Sequence, residues 1–220
     1  MMVRSANPKD PQPRRSRDDV VDAALTILDT QGLPNLTMRR LGDTLGIRPS
    51  ALYWHFDSKQ ALLAAVSARI LAPLTDDNST CPTIQEEALR LGICLRDRLL
   101  AYRDGAELVS SSLALGLIPP PLHPKLIAAA HHCATSNNLA LTAAEAITHF
   151  VIGYTFHEQQ RIQAETLGVL GVASNITPER ALTSASPHTG DFTSILRLIV
   201  TGLDTSLALT GNLPPESSSR

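Results

Sequence analysis

Apolar residues recur along most of this chain at intervals of three and four, and the intervals predict helices throughout. Val20, Val21, Ala24, Leu25, Ile27 and Leu28 mark a first helix that Gly32 should end. Two short periodic segments follow, Met38 to Leu45 and Pro49 to Phe56, with Gly46 between them. Thr37 stands where a hydroxyl can cap the first, and Pro49 suits the opening turn of the second, where a missing amide hydrogen has no helical partner anyway. Leu41 and Leu45 share one face, and Leu52 and Phe56 turn back onto the same small core. Ser58 can cap a longer helix carrying Leu62, Leu63, Val66, Ile70 and Leu71 towards Pro73.

Beyond a polar loop at 75–83, the pattern predicts helices from Ile84 to Tyr102 and from Ala106 to Leu117, the latter closed by Pro119, Pro120 and Pro121. Another is expected from Pro124 to Ser136. The last two, Thr142 to about Leu167 and Asp191 to about Thr210, are apolar on more than one side: Ile147, Phe150, Val151 and Tyr154 in one, and Phe192, Ile195, Leu196, Ile199, Leu203 and Leu207 in the other. A helix with two apolar faces needs cover on both, so one face is expected to meet a second copy of the chain in a four-helix interface. Between them, Gly168 to Gly190 is rich in Gly, Ser, Thr and Pro and reads as a long loop, either functional or disordered. The fold class is therefore all-α.

The two short segments around Gly46 form a helix-turn-helix pattern, and its polar positions suit DNA. The second segment presents Arg48, Ser50, Ala51, Tyr53, Trp54 and His55 outward, and Arg39 and Lys59 flank the pair. Taken singly, each has a plainer reading: Tyr53 and Trp54 as core aromatics, the cations as a solvated face.

Composition narrows the rest. The net charge of −2 announces no nucleic-acid partner for the chain as a whole, but basic residues slightly outnumber acidic ones through residue 60 and the remainder is acidic. Residues 1–16, with four cations among prolines, read as a flexible basic arm, and 212–220 as a disordered tail. Three cysteines, Cys81, Cys94 and Cys133, have neither paired nor metal spacing and are expected as reduced thiols. With no signal-type leader and no apolar run near the roughly 20 residues that span a bilayer, the expected location is the cytoplasm, away from membranes. The adjacent His131, His132 and Cys133 point about 100° apart on a helix and make a poor metal set. Neither a G-x-S-x-G elbow nor a phosphate loop is present, so no catalytic residues, metal or cofactor are expected.

The run LTMRRLGDTLGIRPSALYWHFDSKQALL resembles the N-terminal domain of TetR-family transcriptional regulators, and Leu52-Tyr53-Trp54-His55 is particularly similar to the tetracycline-repressor branch. Arg103-Asp104-Gly105-Ala106 and His149-Phe150 with Gly153 match short pieces of that branch's body. The resemblance implies a three-helix DNA-binding domain at 17–62 and a helical effector-binding and dimerisation domain at 63–211. It implies that Thr37 caps the reading pair, that Arg39 approaches a base edge, that Tyr53 and Lys59 hold phosphates, and that Trp54 and His55 lie along the groove. Pro49 and Ser50, after Arg48, replace that branch's base-reading glutamine and proline, so another operator is expected. Matching positions give Leu91, Leu95, Val109 and Ser112 as an effector wall, with Tyr154 and His157 as polar contacts. Val109 and His157 stand where the branch places its magnesium-drug histidine and the supporting acid, so the implied effector is instead small and largely hydrophobic. The function implied is a homodimeric repressor that leaves a palindromic operator when the effector binds. The alternative is an all-α small-molecule-binding or scaffold protein that no longer reads DNA.

Overall fold

The computed structural model describes residues 15–76, 79, 81–166 and 191–210, and among them every regular element is helical. Residues 1–14 of the expected arm at 1–16, the loop at 168–190 and the tail at 212–220 lie outside the described residues.

Helix α1, Arg17–Gln31, begins at Ser16, whose hydroxyl accepts from the Asp19 amide while the Asp19 carboxylate accepts from the Ser16 amide. Ser16 thus starts the helix instead of ending an arm. These bonds to Ser16 hold the Asp19 carboxyl below its usual range. The buried stripe of α1 is the expected one, Val20, Val21, Ala24, Leu25, Ile27 and Leu28.

Helix α2, Met38–Leu45, is capped by Thr37, which accepts from the Arg40 amide at 3.2 Å. It ends in a Schellman turn: Gly46 takes the left-handed conformation, φ 68°, and the Ile47 amide reaches back to the Gly42 carbonyl at 2.9 Å. Helix α3 is shorter than the expected Pro49 to Phe56. It covers Pro49–Leu52, and Tyr53 to His55 continue as a hydrogen-bonded turn in which the Trp54 amide reaches Ala51 and the His55 amide reaches Leu52. A run with two consecutive bulky aromatics has little helix propensity to carry it further.

Helix α4, Lys59–Asp76, starts with Ser58 accepting from the Ala61 amide at 3.1 Å and continues through Pro73. One rigid element therefore runs from the head, where it packs on α1, into the body, where it packs on α5 and α6. Arg69 of α4 also reaches Asp18 and Asp22 of α1 at 2.5 and 2.7 Å, an exposed fork.

In the body, α5 spans Ile84–Leu100, α6 Gly105–Ala114, α7 His123–His132, α8 Asn137–Thr166 and α9 Phe192–Thr210. Two of these stop earlier than the periodicity predicts. Gly116, φ 64°, ends α6 with the Leu117 amide bonded to the Ser112 carbonyl, so a Schellman turn and not the three prolines closes the helix. Ala134, φ 51°, does the same for α7, the Thr135 amide reaching Ala130. Helix α8 starts at Asn137, five residues before the expected Thr142. By length and composition α8 is long and apolar enough to cross a membrane, although no such run was expected. Here Ile147, Val151 and Ile152 are buried, and the helix packs on α5, α6, α7 and α9 at the centre of the body.

Candidate nucleic-acid interface and ligand cavities

The head depends on one close approach. A Cβ on Gly42 would sit 2.9 Å from the Ile47 carbonyl oxygen and 3.2 Å from the Pro49 nitrogen, so only glycine lets α2 meet the start of α3 this closely. With that crossing set, Leu41, Leu45, Leu52 and Phe56 bury together with the α1 stripe. The guanidinium of Arg17 lies 4.7 Å from the Phe56 ring centroid and covers it from the α1 side, a contact that no spacing in the sequence announces.

What remains outside is the reading surface. Trp54 is 90% exposed and Tyr53 51% exposed, which rules out the core reading of this pair. Arg39, Arg48 and Ser50 are also exposed, while Ala51, His55 and Lys59 are half-buried. Thr37 and Arg39 border a shallow polar depression with Asn35, Arg40 and Asp43 at the start of α2. Arg40 is steered by a hydrogen bond to the Gln31 side chain, which leaves Arg39 as the outward cation of the pair.

The residues expected to form an effector wall are placed differently. Leu91, Leu95 and Val109 are completely buried in the hydrophobic core. Ser112, 1% exposed, shares a hydrogen bond of 2.8 Å with the buried Ser67 hydroxyl of α4. Tyr154 sits apart from them, in an aromatic cluster whose centroids lie 5.7 Å from Phe150 and 5.2 Å from Phe192. Arg96 lies over the Phe192 ring and pairs with Glu158 at 2.7 Å. His157 is exposed, edge-on to Phe156. None of the six lines either of the two nearby openings.

Two openings exist nearby among the described residues. One, of about 470 Å³, lies between α6 and α8 and is lined by Ser110, Leu113, Pro120, Glu145, Thr148 and His149, among others. The Thr148 hydroxyl is buried without a hydrogen-bond partner, and Glu145 pairs with His123 at 2.7 Å and with His149 at 3.4 Å. The other, of about 330 Å³, lies where the α5–α6 turn meets the end of α8. Neither was visible in the sequence, because each joins residues more than thirty positions apart. The three cysteines are free, as expected.

Residues 20–66 match the model of bacterial regulatory proteins of the tetR family, and residues 78–207 match that of tetracyclin repressor-like C-terminal domains. The chain belongs to the TetR family. Among relatives of this TetR-family regulator, the tetracycline repressor protein class E of Escherichia coli is 34% identical over 176 residues, which is 76% of this chain and 79% of that one. The crystal structure of Mycobacterium smegmatis BioQ superposes with a TM-score of 0.72 at 36% identity, covering 87% of this chain and 99% of that one. BioQ with its natural double-stranded DNA operator gives 0.67 at 35% identity, covering 86% and 98%. As a TetR-family member the chain is a transcriptional regulator with a DNA-binding head and an effector-binding body, and not an enzyme.

Proposed function

We propose that the chain is a cytoplasmic repressor that binds a palindromic operator as a homodimer and releases it when a small, largely hydrophobic effector enters the body. The observation that carries the DNA reading is the outward placement of Tyr53 and Trp54 beside Arg39 and Arg48 on a well-formed helix-turn-helix. In this reading Arg39 reaches a base edge, Tyr53 and Lys59 hold phosphates, and Thr37 fixes the α2 start. Arg48, Ser50, Ala51, Trp54 and His55 line the groove. Two heads spaced about 34–36 Å, one turn of duplex, or a multiple of it would read a two-fold site.

Release follows from the Ser67–Ser112 bond, which joins the link helix α4 to α6 deep in the core. Leu91, Leu95 and Val109 belong to the same core, and the α6–α8 cavity is lined by Ser110 and Leu113, the chain neighbours of Val109 and Ser112. An effector that enters there, takes the Ser112 hydroxyl and parts this wall loosens α4, and α4 carries the head. Tyr154 and His157, on α8, are its polar contacts in this reading. The effector weakens operator binding only by its differential affinity for the two head positions.

Footprinting on DNA flanking the gene tests the proposal. A two-fold symmetric protected site occupied by one dimer supports it; protection of no site at low salt contradicts it.

A further inference from the structure

The groove at the head–body joint is built differently from the rest of the body. Its apolar side is Leu100 and Ile162, the latter 50% exposed. Its polar side is Arg103, Asp104 and Gln163. None of the residues assigned above to the effector wall lines it.

The wall behind it is fixed. Asp104, 6% exposed and left-handed at φ 56°, accepts from the Leu33 amide of the head at 2.8 Å through one oxygen and from the Gln163 side chain through the other. The Gly32 backbone passes so close that a Cβ there would lie 2.7 Å from the first oxygen. Gln159, also 6% exposed, clamps the turn: its oxygen accepts from the Ala106 amide at 3.2 Å, and its nitrogen donates to the Leu99 and Tyr102 carbonyls, each at 2.9 Å. Both carboxylate oxygens of Asp104 are therefore already engaged. Arg103 is not: its side chain is exposed, and among the described residues its guanidinium has no acceptor.

We propose that this groove is a second ligand site, for a small organic molecule with an apolar body and one carboxylate. The carboxylate pairs with Arg103, and the apolar body lies along Leu100 and Ile162. Asp104 is 6% exposed with an amide donor on each oxygen, whereas Arg103 is exposed, so the accessible charge in the groove is the guanidinium and it favours an anion. A volume of about 330 Å³ sits at the small end for ligand pockets, which suits an aryl or medium-chain acid. Gln163 in the groove wall is one hydrogen bond from Asp104 and two from the head amide of Leu33, so an occupant touches the contact that seats the head on the body. That consequence for DNA rests on the regulator reading above.

The test is calorimetric titration of the full chain, without DNA, with 4-phenylbutyrate and with its uncharged amide as probes. The wild type should bind the acid more tightly than the amide. Arg103→Gln should weaken the acid about tenfold or more, the scale of a lost charge-assisted bond, and should change the amide little. Arg103→Lys should restore part of the loss, and Ile162→Glu, at an exposed position that folding tolerates, should remove both. Absence of saturable binding to the wild type, or equal affinity for the acid in Arg103→Gln, overturns the proposal. On an operator already shown to bind, saturating acid should shift wild-type affinity and leave Arg103→Gln unmoved; an unshifted wild type overturns the regulatory role.

Discussion

At the scale of single residues, the positions that cap or end helices within a few residues of themselves could be read from the sequence, and those that act across the chain could not. Thr37, Gly46 and Ser58 do what local chemistry requires of them, since each answers to an amide or a backbone angle within a few positions. Asp104 carries as much of the architecture, but its partner is the Leu33 amide 71 positions away. No pattern of spacing encodes that contact. Arg39 is exposed and free of the Gln31 contact that occupies Arg40, which suits it to base reading. Arg39→Ala should cost about 1–3 kcal/mol at one operator position in a binding series over point-substituted sites; equal weakening on every sequence would show contact with phosphate alone.

Glu87 offers a second test at this scale. Burial works against its carboxylate, but the Arg90 fork at 2.6 and 3.1 Å and the Cys81 contacts outweigh it, so its pKa lies below the ordinary value. A depressed folded pKa stabilises the protein above the ordinary carboxylate range, and that stability is lost as pH falls through the folded value. The melting-temperature gap between wild type and Glu87→Gln should therefore be a few degrees near neutrality and narrow on acidification. A gap independent of pH would contradict this. The same carboxylate pushes the Cys81 thiol upward, after burial itself, which keeps that thiol protonated.

Whole elements were legible where the apolar period is long and uniform. Helices α1, α2, α4 and α5 lie within two or three residues of expectation at nearly every end, because one stripe of aliphatic side chains fixes both their period and their buried face. Helix ends failed where a left-handed residue intervened, at Gly116 and at Ala134, and an alanine in that conformation gives no sequence signal. The outer faces of α8 and α9 carry the dimer proposal. Along α9, Phe192, Leu196 and Val200 are buried against the body while Leu198 is 74% exposed, a large aliphatic side chain on the far side. Leu198→Glu should shift sedimentation towards the monomer and weaken operator binding by at least tenfold, since a half-site reader loses its second head. A variant that remains dimeric would place the interface elsewhere.

For the whole molecule, one apolar core runs from the head into the body, and a continuous helix and a buried carboxylate span the joint. Helix α4 is anchored in the head by α1 and in the body by α5 and α6, and Asp104 ties the α5–α6 turn to the head and to α8. The Ser67–Ser112 bond lies in the same joint, between α4 and α6, where the proposed release would act. The general plan could be read from motifs in the head; the cavities of the body could not, because their walls come from segments distant in the sequence.

The central claim is that this head reads DNA. Fluorescence anisotropy of the full chain on labelled fragments from around its own gene, repeated across a range of salt concentrations, tests it most directly. One fragment should be preferred, with affinity falling steeply and linearly in log–log form as salt rises, because Arg and Lys contacts release counterions from phosphate. Equal, weak affinity for every fragment, or no binding at low salt, would contradict it.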